Sequence, residues 1–135
     1  VLVSRVLYVK TGAERRILIV DAGMNDLIRP ALYDAYHAIE PVRRAPGAAL
    51  LVYDVVGPVC ESSDRFAAAR TLPELREGDL IAFMTAGAYG ASQSSEYNSR
   101  PLAPEVLVNG ARFAVIRRRP SIDEMMARES IPDPL

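Results

Sequence analysis

From Val1 to Lys10 hydrophobic and polar positions alternate. Val3, Leu7 and Val9 share a parity with Arg5, and Ser4, Val6, Tyr8 and Lys10 take the other. That period predicts a strand. Thr11-Gly12-Ala13-Glu14 reads as a turn, and Arg15 to Asp21 carries the aliphatic run Ile17-Leu18-Ile19-Val20 of a strand buried on both faces. The two segments predict a hairpin, which Ala22-Gly23-Met24-Asn25 then ends. Over Asp26 to Tyr36 the strand pattern lapses. A short helix is expected there, with Pro30 at its first position, Arg29 before it at the cap, and Tyr33 one turn beyond Arg29 on the same side. His37 to Arg43 and the valine-rich Ala49 to Val59 predict two further strands. Arg65 to Arg76 reads as a connector of weak helical character, and Glu77-Gly78-Asp79 turns into a strand over Leu80 to Thr85.

Gly87, Gly90 and the four serines among residues 92 to 99 mark a long irregular loop, a feature more often functional than decorative. Glu105 to Val108, Asn109-Gly110 and Arg112 to Arg118 form the clearest hairpin pattern of the chain. Ser121-Ile122-Asp123-Glu124 matches a capping box that opens a last short helix. About seven strands with turn-length connections and one or two short helices predict a mainly β fold, an antiparallel β-sandwich or open Greek-key barrel.

Composition narrows the function. A length of 135 residues, half of them hydrophobic, suits a packed domain rather than a disordered one. A net charge of −1 offers no general attraction to nucleic acid or to an anionic membrane surface, and no apolar run reaches the ~20 residues of a membrane span. Arg117-Arg118-Arg119, the one dense basic run, is expected to be a solvated strand end. One cysteine cannot form an internal disulfide, which suits a reducing, cytoplasmic compartment. One cysteine and one histidine cannot make a zinc-type set, and a structural role is expected for His37. The first residues lack the features of a signal peptide. With no initiator methionine and a strand from the first residue, the chain is expected to be part of a longer polypeptide.

The remaining chemistry sits in three places. A lone cysteine is commonly a small core hydrophobe, but Cys60 follows Gly57-Pro58-Val59 and precedes Glu61-Ser62-Ser63-Asp64, which predicts exposure at a rim. A thiol can donate a proton near neutrality and recover it from solvent. Glu61 is either a solvated carboxylate or, in a pocket, the partner of an ammonium group. Tyr89, in Gly87-Ala88-Tyr89-Gly90, either covers a core edge or offers its phenol to a phosphate oxygen. Arg29 is either an exposed cation or a fork for a carboxylate, with the Tyr33 hydroxyl beside it.

In series these segments are specific: Asn25-Asp26-Leu27-Ile28-Arg29-Pro30-Ala31-Leu32-Tyr33, Cys60-Glu61-Ser62-Ser63-Asp64, Ala86-Gly87-Ala88-Tyr89-Gly90, and Tyr97-Asn98-Ser99-Arg100-Pro101 with Glu105-Val106-Leu107-Val108. Along its whole length the chain resembles the C-terminal β-domain of the diaminopimelate decarboxylases, which belong with the alanine racemase-like enzymes of pyridoxal 5'-phosphate (PLP). The resemblance implies an N-terminal (β/α)8 barrel outside residues 1–135 and a homodimer whose active site is shared between subunits. It implies decarboxylation of meso-diaminopimelate to L-lysine. Cys60 would then be the proton donor and Glu61 the holder of the distal ammonium. Arg29 and Tyr33 would contact the distal carboxylate end, and Tyr89 would touch both cofactor phosphate and substrate.

One departure stands out. Lys10 is the single lysine and occupies no position that the family uses to bind PLP covalently, so the isolated chain is expected neither to hold PLP nor to decarboxylate. Ser63 stands where the family often has glycine. Two other readings are open: a related decarboxylase of ornithine, arginine or carboxynorspermidine, or a non-catalytic β-barrel binding module. Glu61 and Arg29 favour diaminopimelate over the first. The second expects a buried Cys60 lying apart from Tyr89, whereas the decarboxylase reading expects Cys60, Glu61 and the Tyr89 loop exposed near one surface that pairs with another chain.

Overall fold

The computed structural model describes residues 1–43 and 46–132. Two compact units divide the chain, one over Val1–Ser94 and one from Ser95 onward.

The first unit is a six-stranded sheet: β1 (Leu2–Thr11), β2 (Arg16–Val20), β3 (Ile39–Pro41), β4 (Leu50–Val56), β5 (Arg65–Pro73) and β6 (Leu80–Phe83), in the order β3-β6-β1-β2-β4-β5. Helix α1 (Arg29–Tyr33) interrupts it. Leu2 to Arg5 of β1 pair with β6, and Val6 to Thr11 pair with β2 across a register shift between Val6 and Tyr8. Such a bulge adds twist and lets one long strand coil the sheet. The two edge strands, β3 and β5, come into contact, so the sheet nearly closes on itself. At that seam the Arg70 guanidinium donates to the His37 carbonyl at 2.9 Å and lies 4.3 Å above the Tyr36 ring. This approach covers edges that an open sheet would leave bare.

Inside lie Val6, Leu18, Val20, Tyr53, Val55, Leu72, Ile81 and Phe83, with the Phe66 and Phe83 rings tilted at a centroid distance of 4.4 Å. On β1 the core-facing parity is that of Ser4 and Val6, and Val3 and Leu7 are exposed. The buried Ser4 hydroxyl donates to Asp21 Oδ1 at 2.6 Å and accepts from the Ala22 N–H at 2.9 Å. A polar pair thereby fixes the exit of β2.

The expected β-rich, barrel-like fold with two short helices is what forms, with three differences of detail. First, the segment Arg65 to Arg76 is not a helical connector: it contains β5, antiparallel to β4. Its alanines favour helix, but Phe66, Ala67 and Leu72 find buried positions on the sheet. Ala69 sits at φ 48° as a bulge whose N–H donates to Asp54 Oδ1 at 2.7 Å. Second, β2 and β4 are parallel, because the intervening α1 and β3 carry the chain across. Third, α1 is capped by Ile28, so Arg29 is its first residue rather than its cap.

The second unit holds a 3-10 turn (Tyr97–Ser99), the antiparallel hairpin of β7 (Glu105–Asn109) and β8 (Arg112–Arg117), and helix α2 (Ile122–Met126). Ser121 and Glu124 form both halves of the predicted capping box. The basic run is paired: Arg117 with Glu105 at 2.7 Å, and Arg118 with Glu124. The Arg118 guanidinium first, and the Ser121 backbone N–H second, hold the Glu124 carboxyl down from its usual 4.5 to about 2. A depressed carboxyl stabilises the fold above its unfolded value and loses that contribution as pH falls through its folded one. The capping box should therefore stay ionised at pH 4 and fail only toward pH 2. A carbon-13 titration of the Glu124 carboxyl checks this, and a midpoint near 4.5 would contradict it.

Candidate active site

The site is built around residues 22–28, between β2 and α1. Gly23 N–H donates to Asp26 Oδ2 at 2.9 Å, and Asp26 N–H returns to the Gly23 carbonyl at 2.9 Å. This closed turn leads through the buried Leu27 into α1. Arg29 is half-buried and Tyr33 is 62% exposed. The one-turn spacing places both on a helix too short to bury either.

The Cys60 loop leaves β4 at Gly57 and returns as β5. Its organising group is Asp64, 3% exposed. The carboxylate accepts from the Val59 N–H at 2.7 Å through Oδ2, and from the Met24 N–H at 2.7 Å through Oδ1. One acidic side chain thus closes its own loop and ties that loop to the turn that launches α1. Charge-assisted acceptors of this kind are strong. A Cβ at Gly57 would strike the Asp64 carboxylate, so only glycine fits there. At Gly23 a Cβ would crowd Asn25 Oδ1 at 2.7 Å and Val59 Cγ2 at 3.1 Å. Close approach of the two segments requires that glycine as well. With the loop base fixed, Cys60 and Glu61 project at its tip and are exposed. Ser63 Oγ donates to Glu61 Oε2 at 3.3 Å.

The Tyr89 turn follows β6. Ala86 and Gly90 are buried, and Tyr89 is 66% exposed with φ 63°. A non-glycine residue held in the left-handed region is a marker of functional geometry. Of the two flanking glycines, Gly87 has open space around a Cβ position, whereas Gly90 has none because the Ala86 carbonyl occupies it. A Cβ at Gly90 would also reach Leu27 Cδ1 at 4.0 Å, and Leu27 and Ala86 belong to one buried cluster. The turn is thus tied through the core to the same 22–28 segment.

Three separate stretches of sequence thus share one support. Their functional side chains do not all line one cavity. A cleft of about 390 Å3 between α1 and the start of β5 has Tyr33 and Asp34 on one wall and Ser62, Ser63 and Arg65 on the other. Cys60, Glu61, Arg29 and Tyr89 stand outside it. Asp64 and Gly23 are the residues that reading the sequence for chemistry passes over, because they act on backbone rather than on a ligand. A carboxylate in a row of polar residues carries no signal that it will be buried. Among the described residues no cluster of His, Cys, Asp and Glu could hold a metal ion, and no helix is long and apolar enough to cross a membrane.

The chain and its fold have known counterparts. The family model of the pyridoxal-dependent decarboxylase C-terminal sheet domain matches residues 1–87, and the chain belongs to that family. Among its relatives are the diaminopimelate decarboxylases of Zymomonas mobilis, 50% identical over 129 residues, and of Haemophilus influenzae, 51% identical over 130. Each comparison covers 96% of this chain, which spans only 30% and 31% of the length of those relatives. The crystal structure of diaminopimelate decarboxylase from Helicobacter pylori complexed with L-lysine superposes with a TM-score of 0.85 at 46% identity. That match covers 94% of this chain and 31% of the other.

PLP, which the family implies, needs donors for its phosphate and a lysine for its aldehyde. The exposed Tyr89 phenol fits the first need in part. Lys10 does not fit the second: it lies on β1 opposite Ile17, on none of the segments that carry the site. These residues suit one wall of a PLP site.

Proposed function

We propose that this chain is the C-terminal domain of a diaminopimelate decarboxylase, in a homodimer whose active site is shared between subunits, with Cys60 and Glu61 reaching into the partner subunit's N-terminal barrel. The observation that carries the reading is the Asp64 tie, which holds the Cys60–Glu61 tip to the turn leading into Arg29 and Tyr33. Exposure of Cys60, Glu61, Tyr33 and Tyr89 supports a site completed by another surface. It is the opposite of the buried thiol that a non-catalytic module would have.

Bound PLP supplies the electron sink that allows the α-carboxylate to leave from the D-configured carbon of meso-diaminopimelate. Each residue then has one task. Cys60 holds the proton that this carbon receives once carbon dioxide has departed, and solvent restores the thiol. Glu61 takes the distal ammonium by a charge-assisted bond, and the Arg29 fork with the Tyr33 hydroxyl takes the distal carboxylate. Tyr89 donates to the cofactor phosphate and packs against the substrate. The product is L-lysine, made in the cytoplasm by a homodimer.

Glu61 and Arg29 together fit a substrate end that carries both charges, which ornithine lacks. The test compares carbon dioxide release by the full-length, PLP-loaded protein from meso-diaminopimelate, ornithine, arginine and carboxynorspermidine. Turnover of meso-diaminopimelate at least about 100-fold above the others is expected, since an ion pair left unmade in a site costs several kcal/mol. Preference for ornithine would overturn the substrate assignment.

A further inference from the structure

His37 is 1% exposed and lies four residues beyond α1. Its Nδ1 is 2.9 Å from the Met84 carbonyl oxygen. A carbonyl only accepts, so Nδ1 carries the hydrogen and donates it. The other ring nitrogen, Nε2, is buried and has no hydrogen-bond partner among the described residues. A buried polar atom without a partner is costly, and such atoms are few in native proteins. The ring is thus an expensive way to fill this space, and among the described residues its one polar contact is the grip on Met84.

Met84 is where β6 ends and the Tyr89 turn begins. Its N–H donates to the Ala38 carbonyl at 2.8 Å, so the peptide units on both sides of Met84 are bonded to residues 37 and 38. The Thr85 hydroxyl donates to the same Met84 oxygen at 2.7 Å, and Thr85 takes φ 54°. A β-branched residue in the left-handed region is a steric outlier that persists only where its surroundings impose it. The chain is thereby bent abruptly into Ala86, whose carbonyl packs against Gly90 to close the turn that presents Tyr89. The imidazole donates to the carbonyl that immediately precedes that bend.

We propose that His37 is a positioning residue: its Nδ1–H grip on Met84 aims the Tyr89 turn, and so the phenol, toward the cofactor phosphate. This rests on the role given to Tyr89 above. It also links the two arms of the site, because the helix of Arg29 and Tyr33 is anchored to the Cys60 loop ahead of it by Asp64 and to the Tyr89 turn behind it by His37.

The test is a set of mutant cycles read by the PLP dissociation constant of the full-length protein, with Tyr89→Phe as the probe. Asparagine puts an amide N–H where Nδ1 stands, whereas glutamine places its amide about where Nε2 stands and leaves Met84 unpaired. Tyr89→Phe should weaken PLP about 10-fold in the parent and equally in His37→Asn, but by less than about 3-fold in His37→Gln, where the phenol is already misaimed. Equal losses in all three backgrounds would overturn the positioning role, as would a lost Tyr89 effect in His37→Asn. Should His37→Gln fail to fold, His37→Ala, which also leaves Met84 without the imidazole donor, takes its place. A Tyr89→Phe loss under about 3-fold is then expected, and a full loss of about 10-fold would overturn the proposal. No effect of Tyr89→Phe in the parent would instead refute the role of Tyr89, and the inference with it.

Discussion

Under the proposed function, replacing Cys60 with alanine in the full-length protein should lower kcat by about 100- to 10,000-fold and leave the KM for meso-diaminopimelate within a few-fold of the parent. That range is the usual contribution of a positioned general acid. The split follows from geometry. The thiol is at the tip of a loop whose shape is set from its base by Asp64, so removing the sulfur leaves the neighbouring carboxylate of Glu61 in place. An interaction made only in the transition state shows in kcat and kcat/KM together. A rise in KM with kcat preserved would make Cys60 a binding residue.

Asp64→Ala should have the largest effect on structure. It deprives two backbone N–H groups of their acceptor, one of them in a buried bond, and each orphaned donor costs about 1–3 kcal/mol. The loss should be local before it is global. Hydrogen exchange should rise by about 100-fold in peptides covering residues 57–64 and also in those covering 22–28, since the carboxylate bridges the two. Asp64→Asn, which keeps one acceptor oxygen, should fall between. Unchanged exchange at 22–28 would contradict the tie, whatever happened in the loop itself.

Much of this molecule was legible in its residues, for reasons that can be named. The β1–β2 hairpin, the β7–β8 hairpin and the Ser121–Glu124 box are local, and local chemistry decides them. Cys60 was placed at a rim by the polar residues that follow it, and it is exposed. What failed was non-local. The alanines of β5 favour helix until β4 offers them a partner, and the bulge at Ala69 breaks the alternation that would have betrayed a strand. Nothing in Ile17-Leu18-Ile19-Val20 shows that its neighbour runs parallel. Asp64 reads as one more polar residue until two backbone amides converge on it. The three site segments could be recognised singly and by resemblance, but their common support at 22–28 is a property of the fold.

The central claim is that the Cys60–Glu61 tip of this domain serves the barrel of another subunit. It is tested most directly by mixing two inactive full-length variants, Cys60→Ala and one lacking the PLP-binding lysine of the barrel, under conditions that exchange subunits. A shared site predicts recovery of about a quarter of parental activity, because half the dimers are mixed and each of these has one intact site. No recovery on mixing, with exchange verified, would contradict the claim.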